Sequence, residues 1–221
     1  MARQLRLRLQ RAPSYERSEF AVGPSNASAV ETVDRWPAWP GGALALIGPA
    51  GVGKTHLAQA WRARAEAVEL PARSTDVGPA GPVLIEDLDR GFDAELLFHR
   101  INMAAREGGG LLVTARTPPS AWTTDLPDLR SRLNALTVAE IEPPDDRVLE
   151  VLLRRLFAQR NIAPQEDVVP YLLRRIERSA AAAQDVVRRL DAASGEDHRP
   201  VSRVLARHIL ENDTENLDLF D

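Results

Sequence analysis

The sequence predicts an α/β fold in which a five-stranded parallel sheet is followed by a small domain made only of helices. Three observations lead to this prediction. Short apolar runs alternate with helical patterns from residue 43 to residue 141, a glycine-rich loop joins the first run to a helix, and only helical patterns follow Pro143 and Pro144. We divide the chain into an N-terminal peptide, an α/β base, a helical lid and an acidic tail, at residues 1–12, 13–143, 144–212 and 213–221.

The composition limits the classes of function. The chain has 221 residues, a net charge of −4 and no cysteine, which excludes disulfides and thiolate metal sites and gives no overall basic surface for nucleic acid. No apolar run approaches the roughly 20 residues of a membrane span, and arginines interrupt the N-terminus where a secretory signal would be apolar. We therefore expect a soluble, cytoplasmic protein with no membrane partner and no direct sequence-specific DNA binding.

The predicted elements follow in a simple order. Five apolar runs suited to buried parallel strands occupy residues 43–47, 67–70, 83–85, 111–113 and 137–141. Four helical stretches then occupy residues 145–160, 165–177, 179–193 and 200–211, separated by Pro164 and by the pair Ser194 and Gly195. The first strand is followed directly by the glycine-rich loop, so this loop lies at the carboxyl edge of the predicted sheet.

That loop reads GPAGVGKT, residues 48–55, and has the pattern G-x-x-x-x-G-K-[ST] between a strand and a helix. Its glycines let backbone N–H groups turn inward around phosphate oxygens, and the helix N-terminus adds partial positive charge. Lys54 is expected to reach the β- and γ-phosphates, and Thr55 to hold Mg²⁺. The predicted nucleotide-binding residues here are Pro49, Ala50, Gly51, Val52, Gly53, Lys54, Thr55 and His56.

Lys54 is also the only lysine among the 28 basic residues. This skew indicates a pressure towards arginine wherever either cation serves. The surviving lysine then marks a position where a compact ammonium on a thin stem is needed instead of a planar guanidinium. Its place in the glycine-rich loop supports the prediction of a phosphate site.

A protein with such a loop is expected to have a second strand that ends in acidic residues. The stretch PVLIED, residues 82–87, is such a strand end. Carboxylates there hold Mg²⁺ through water and polarise an attacking water, which makes Glu86 a metal candidate and both Glu86 and Asp87 catalytic candidates. Glutamate stands where aspartate is usual for the metal, and aspartate where many ATPases have a glutamate base. We therefore expect weak intrinsic hydrolysis. Thr114, at the end of the fourth strand, is a candidate contact to the γ-phosphate or the attacking water.

These residues resemble the AAA+ family and, within it, the DnaA group, over about residues 13 to 212. The stretch FAVGPSN, residues 20–26, is similar to the box of that group that lines the adenine, which implies that Val22, Gly23 and Asn26 lie near the base. GVGKTHL is similar to the group's P-loop. SRL within PDLRSRL matches the box with the arginine finger and implies that Arg132 is the finger. By composition Arg130 is equally available, and only the motif favours Arg132.

Within the DnaA group the chain looks most like the DnaA regulatory inactivator family, Hda, because we expect no DNA-reading domain after the lid. That family couples the DNA-loaded sliding clamp to hydrolysis of the ATP on the initiator DnaA. Its clamp-binding peptide has the form Q-L-x-L-P-L, and QLRLRL, residues 4–9, agrees except at Arg8. The clamp contacts implied are Gln4, Leu5, Leu7 and Leu9.

The resemblance implies a mechanism with two partners, DnaA and the sliding clamp. Arg132 reaches in trans into the initiator's ATP site, where such a finger is worth roughly 10³–10⁵ in rate. The chain's own P-loop holds ADP, or ATP, with Mg²⁺ as a conformational ligand. Whether the chain also forms a homo-oligomer is left open.

Two further stretches depart from or extend this pattern. The DnaA group has an arginine near the start of the third lid helix that contacts the phosphates, and Ala181 occupies that position here. Arg178 lies about one turn earlier, but Ser179 is typical of a helix N-cap and would leave Arg178 outside the helix. We therefore expect the γ-phosphate to be poorly sensed, which favours an ADP-bound switch over a working ATPase.

The C-terminal stretch NLDLF, residues 216–220, is similar to the other clamp-binding form, Q-L-x-L-F. It makes Leu217, Leu219 and Phe220 candidates for a second clamp contact, and the alternative is an acidic tail without structure. Two functions remain as alternatives for the whole chain. One is a helicase-loader-type AAA+ ATPase that works by its own turnover, and the other is a clamp adaptor in which the nucleotide is only structural. A P-loop kinase fits less well, because four helices follow the last strand.

Overall fold

A computed structural model describes residues 14–217, except for residues 75, 107, 198 and 199 and the side chains of residues 196, 197 and 212–217. The strands are β1 Ala43–Ile47, β2 Val68–Glu69, β3 Val83–Ile85, β4 Leu111–Ala115 and β5 Thr137–Glu140. The α-helices are α1 Ala27–Asp34, α2 Lys54–Ala65, α3 Ala94–Ala104, α4 Pro127–Ala135, α5 Asp146–Gln159, α6 Val168–Leu173, α7 Ala180–Asp197 and α8 Arg203–Leu217.

The five strands form one parallel sheet in the order β2-β3-β4-β1-β5, which confirms the predicted α/β fold. Strand β1 lies between β4 and β5, with Ile47 opposite both Ala115 and Glu140. Strands β1, β3 and β4 are buried along their whole length, as in a parallel sheet covered by helices on both faces. All carboxyl ends therefore meet at one edge, where the P-loop leaves β1.

Alternate residues of β1 contribute to two different cores, because successive side chains of a strand point to opposite faces. Leu44 and Leu46 belong to a core with Leu57 and Trp61 of α2. Ala45 and its neighbours on the other face belong to a core with α3 and α4. The P-loop and α2 are therefore fixed to one face of the sheet by full burial of their apolar side chains.

The lid has a core of its own, formed by helices α5 to α8 around Leu153, Phe157, Val187 and Leu190. The predicted break at Ser194 and Gly195 is wrong, since α7 continues to Asp197. A glycine in a helix interior is unfavourable by only about 1 kcal/mol, and the apolar residues that α7 buries in the lid outweigh it.

Two other lid helices differ in length from the prediction. Helix α6 is shorter, Val168–Leu173 instead of 165–177. Arg174 is its C-cap, and the Leu172 carbonyl accepts from both Arg175 N–H and Ile176 N–H where the chain turns away. Helix α8 is longer and ends at Leu217 instead of 211, since no glycine or proline interrupts this stretch.

Candidate nucleotide-binding site

Neighbouring backbone and side chains approach the P-loop so closely that only glycine fits at two of its positions. Gly53 forms the N-cap of α2 with φ 106°, and a Cβ atom there would lie 2.9 Å from Cε2 of Phe20. A Cβ on Gly48 would lie 2.2 Å from the carbonyl oxygen of Ile141. The loop is therefore held between the N-terminal segment and the end of β5, with the first turn of α2 beneath it.

Lys54 is buried inside this loop. Its Nζ donates hydrogen bonds of 2.8 Å to the carbonyls of Gly48 and Pro49. Burial lowers the pKa of Lys54, the charge of Asp87 opposes this, and the positive charge of Arg116 lowers the pKa further. A buried ammonium bonded only to neutral carbonyls among the described residues fits a site that takes an anion such as phosphate.

Glu86 follows β3 and lies beside Thr55. Burial raises the pKa of Glu86, the charges of Glu69 and Asp87 add to the rise, and a hydrogen bond from the Thr55 side chain opposes it. The Oε1 atom of Glu86 is buried without a hydrogen-bond partner. An unsatisfied carboxylate oxygen beside the threonine of a P-loop fits a Mg²⁺ ion that keeps several waters.

The described residues contain no cluster of three His, Asp or Glu side chains that could hold a metal by themselves. Asp89 was not anticipated from the sequence. Its Oδ1 is also buried without a partner, and its charge acts on Lys54.

Asp87 has a left-handed backbone, with φ 57°, and its carboxylate forms an ion pair of 3.0 Å with Arg90. Its N–H donates to Oγ1 of Thr114 at 3.0 Å. Thr114 is almost fully buried, at 1% exposure, so this hydroxyl positions the Asp87 backbone. The arrangement directs the Asp87 carboxylate to Arg90, which favours the expectation of weak intrinsic hydrolysis.

The loop predicted to line the adenine is shaped by Asn26. Its Oδ1 accepts from Gly23 N–H and its Nδ2 donates to the Ala21 carbonyl, both at 2.9 Å. The Asn26 side chain is buried, whereas Val22 is 43% exposed. Asn26 therefore holds the loop, and Val22 offers the apolar surface.

The N-terminal segment before this loop packs on the first turn of α2, which the sequence did not reveal. The His56 ring nitrogen Nε2 lies 3.0 Å from the Glu16 carbonyl, and the ring meets Phe20 and Tyr15 edge-on. His56 thus anchors this segment beside the P-loop. The aromatic residues Tyr15 and Phe20 are the sequence signal from which this contact could have been predicted.

The lid contacts the P-loop directly at the start of α7. Ala180 N–H donates to the Gly51 carbonyl at 2.8 Å. Oγ of Ser179 accepts from Ala182 N–H at 3.1 Å, which confirms the predicted N-cap. A Cβ on Gly51 would lie 3.6 Å from the Ala181 Cβ, so the position without the family's arginine does adjoin the P-loop.

Comparison with known proteins relates the chain to the initiator protein DnaA, although no family model matches the chain. The initiator protein DnaA of Thermomicrobium roseum is 27% identical over 88% of this chain and 49% of its own length. The chain spans about half the length of the curated relatives it matches. Domain III of DnaA from Thermotoga maritima superimposes with a TM-score of 0.72 and 20% identity, over 91% of this chain and 97% of that domain.

The fold is DnaA-like AAA+. DnaA from Aquifex aeolicus bound to AMPPCP has the same fold, with a TM-score of 0.68 and 19% identity over 83% of this chain. A nucleotide analogue is therefore present in a solved relative of this DnaA-like fold. The P-loop of this chain, with Lys54 and Glu86, lies at the carboxyl edge of the sheet.

The two candidates for the arginine finger both lie on helix α4 of the DnaA-like base, and they differ in their contacts. Arg132 is exposed and makes no hydrogen bond or ion pair with any residue that the structure describes. Arg130 is half-buried, and its guanidinium donates to the Ser120 carbonyl at 3.3 Å. The geometry therefore leaves Arg132 available to a partner and engages Arg130 within the chain.

Arg178 is also engaged within the chain. Its guanidinium pairs with Asp146 at 2.7 Å and donates to the Pro144 carbonyl at 3.3 Å. It joins the start of α7 to the start of α5 and makes no hydrogen bond to the P-loop. The alternative in which Arg178 replaces the missing lid arginine is therefore not favoured.

The predicted clamp-binding residues lie mostly outside the described part of the chain. Gln4, Leu5, Leu7 and Leu9 precede it, Leu219 and Phe220 follow it, and Leu217 is the last residue of α8. In residues 14–217, apart from the gaps given above, no helix has the length and hydropathy needed to cross a bilayer.

Proposed function

We propose that this chain is a nucleotide-binding regulator of replication initiation. Together with the DNA-loaded sliding clamp, it stimulates hydrolysis of the ATP bound to the initiator DnaA. The observation that carries the proposal is Arg132, an exposed arginine on α4 of a DnaA-like fold, without a hydrogen-bond or ion-pair partner among the described residues.

Arg132 acts in the initiator's site instead of its own. A guanidinium presents a rigid fork of donors that matches phosphate oxygens. It neutralises the charge that develops on the γ-phosphoryl oxygens while water attacks the phosphorus and the bond to the β-phosphate oxygen breaks. The exposure of Arg132 supports this role, because the guanidinium of an arginine finger must be accessible to the partner protein.

The chain's own site holds ADP, or ATP, with Mg²⁺ as a conformational ligand. Lys54 and the P-loop N–H groups bind the phosphates, Thr55 and Glu86 hold the ion, and Val22 adjoins the base. Mg²⁺ supplies charge neutralisation between phosphate oxygens. The chain's own hydrolysis of ATP is weak because the Asp87 carboxylate is directed to Arg90 and because Ala181 brings no charge to the phosphates.

The clamp contact is assigned to residues 4–9. An extended peptide with Leu5, Leu7 and Leu9 on one side binds by main-chain hydrogen bonds and by pockets for alternate side chains. The segment that follows is fixed to the base, since Arg17 pairs with Asp34 at 2.8 Å. Only a short stretch of chain therefore separates residues 4–9 from a fixed point on the base.

The test measures hydrolysis of DnaA-bound ATP in the presence of clamp and DNA. Arg132→Ala is expected to lose the stimulation by roughly 10³-fold or more. Arg130→Ala, on the same helix, is the matched control and should retain it within a few-fold. Deletion of residues 1–9 should remove the stimulation of hydrolysis that the clamp provides.

Two results would contradict the proposal. If Arg132→Ala still inactivates the initiator, the chain is a clamp adaptor in which the nucleotide is only structural. If the isolated chain hydrolyses ATP at a rate typical of a motor, the helicase-loader-type ATPase is the better description.

A further inference from the structure

Helix α8 of the lid has an inner face in the lid core and an outer face that is exposed. The side chains of the inner face are buried or partly buried: Leu205, Ala206, Ile209 and Leu210. On the outer face, Val204 is 78% exposed, more than any other large apolar side chain that the structure describes. Arg207 and Glu211 lie on the same face, at helical spacing from Val204, and both are exposed. An apolar side chain in such a position gains stability only when another surface covers it.

Val204 lies between two clefts in the surface of the lid. One cleft has a volume of about 380 Å³ and is lined by Pro200 and His208, and the other has a volume of about 340 Å³ and is lined by Asp167. Val204 and Arg207 line both clefts. A row of side chains between two clefts matches the same feature on a second helix, because ridges of one helix pack into grooves of the other.

The charges of α8 are arranged against the dipole of the helix. Arg203 and Arg207 lie in its first half, whereas its second half contains Glu211, Asp213 and Glu215. Acidic residues stabilise a helix near its N-terminus and basic residues near its C-terminus, so this order is unfavourable for α8 by itself. When two such helices lie side by side in antiparallel orientation, the basic half of each adjoins the acidic half of the other.

The basic end of the outer face is only partly neutralised within the chain. The guanidiniums of Arg203 and Arg175 lie over the ring of Tyr171, 5.3 Å and 4.5 Å from its centroid. Neither guanidinium forms an ion pair with any residue in the described part of the chain. Asp167 lines the cleft beside Arg203 and offsets part of this positive charge. The surface therefore fits carboxylates supplied by another molecule.

We propose that α8 is a contact surface for a second copy of this chain, in which the two α8 helices pair antiparallel about a two-fold axis. Arg207 of each copy then lies opposite Glu211 of the other, because a two-fold axis repeats every pairing in reverse. Val204 of each copy enters a cleft of the other. Within one chain, Arg207 and Glu211 pair at 3.2 Å with both side chains more than 60% exposed. Such an exposed pair contributes little to stability and is readily exchanged for one between copies.

The test is self-association of the isolated full chain, measured by sedimentation velocity over a range of protein concentrations. A contact made by one helix from each copy is smaller than the roughly 1,200–2,000 Å² of a stable interface, so we expect a dissociation constant in the micromolar range. Raising the salt concentration from about 0.05 M to about 0.5 M should weaken the dimer, because exposed charges are screened. A chain that stays monomeric in low salt at several hundred micromolar would overturn the proposal.

Exchange of charges identifies the surface that forms the dimer. Arg207→Glu and Glu211→Lys each place like charges opposite one another, and each should lower the association constant at least about tenfold. An equimolar mixture of the two variants has opposite charges at both positions again and should associate within a few-fold of the unchanged chain. Arg154→Glu breaks a comparable exposed pair with Glu150 on α5, at 2.7 Å, and is the matched control. It should associate as the unchanged chain does.

A second substitution and a stability measurement separate the contact from the fold. Val204→Ser should weaken association without lowering the melting temperature at concentrations where the chain is monomeric, since Val204 is buried only in the dimer. Association of Arg207→Glu and Glu211→Lys as strong as that of Arg154→Glu would show that the copies meet elsewhere and would overturn the proposal. A mixture that associates no better than either variant alone would overturn it as well. Neither the initiator nor a clamp is present, so the outcome does not depend on the proposed function.

Discussion

Two adjacent carboxylates after β3 have different polar partners. Glu86 is half-buried with one oxygen unsatisfied, and its pKa is raised by burial and then by the charges of Glu69 and Asp87. Asp87 is also half-buried, but its carboxylate pairs with Arg90. The sequence places both acids at a strand end, but the difference in their polar partners arises from the packing around them. Glu86 is a residue whose position is unfavourable for stability until a cation is bound.

This predicts an effect of Glu86→Gln that depends on pH. Because the folded pKa of Glu86 is raised, the folded state holds the proton more tightly than the unfolded chain, whose pKa is about 4.3. Stability therefore decreases as pH rises through the folded pKa. At pH 8 the glutamine variant should melt at a higher temperature than the unchanged chain, and the difference should vanish near pH 4.

The control for this prediction is Glu142→Gln, at an exposed glutamate, which should show no such dependence on pH. The same Glu86→Gln variant should lose part of the Mg²⁺ dependence of its nucleotide affinity. A lower melting temperature for Glu86→Gln at pH 8 would contradict the assigned burial of this carboxylate.

At the scale of elements, one carboxylate joins the loop of residues 20–26, which the sequence predicts to line the adenine, to the lid. Oδ1 of Asp145 caps α5 by accepting from Val148 N–H at 2.9 Å, and Oδ2 accepts from Ser25 N–H at 3.0 Å. Burial opposes ionisation of Asp145, but these hydrogen bonds outweigh it and lower its pKa. Gly23 leaves space for this approach, since a Cβ there would lie 2.5 Å from Val148.

Asp145→Ala should therefore affect stability and binding together. Loss of the cap destabilises by about 1 kcal/mol, and the loop before α1 loses its attachment, so nucleotide affinity should also fall. Asp145→Asn keeps an acceptor at the cap and should recover most of the stability. Chemical unfolding and nucleotide titration measure the two effects.

The pH dependence provides a check on this assignment. Since the folded pKa of Asp145 is lowered, its contribution is present above the unfolded value of about 3.9 and is lost as pH falls through the folded pKa. The gap in stability between the unchanged chain and Asp145→Ala should thus narrow in acid. A gap that widens in acid would show that the carboxylate is not stabilising in its ionised form.

At the scale of the whole molecule, the base and the lid have separate hydrophobic cores. One contact between them is the hydrogen bond from Ala180 N–H to the Gly51 carbonyl. The position of the lid is therefore coupled to the conformation of the P-loop. This contact provides a physical route by which bound nucleotide could change the surface that the chain presents.

Ala180→Pro should release the lid from the P-loop without breaking α7. Proline is tolerated at the first position of a helix, where it removes only an N–H that the helix does not use. Ala180→Gly keeps the N–H and is the control. The chain has no cysteine, so spin labels on cysteines introduced at Glu95 and Gln184, both exposed, report the distance between base and lid.

The proline variant should broaden the distribution of this distance, and the glycine variant should not. If both variants give the distribution of the unchanged chain, the Gly51 contact does not hold the lid. If both broaden it equally, the effect comes from helix propensity instead of the hydrogen bond.

The sequence by itself determined the parallel sheet, the P-loop and the helical lid, because each depends on local signals. A run of apolar residues, a glycine pattern and a helical period act within about ten residues, so the five strands were placed to within two residues of their observed ends. The N-cap at Ser179 was predicted for the same reason. Where opposing local signals competed, as at Gly195 in α7, burial of the helix against the lid core decided the outcome.

Only the tertiary structure decided how the charged residues are used. The pairing of β1 with β4 brings the end of β4 beside the P-loop, and the bond from Ser25 to Asp145 joins residues 120 positions apart. The same holds for Arg130 and Arg132, which are equivalent by composition until the Ser120 carbonyl engages one of them. Burial, electrostatic partners and available surface are properties of groups brought together from distant parts of the chain, and so no local pattern contains them.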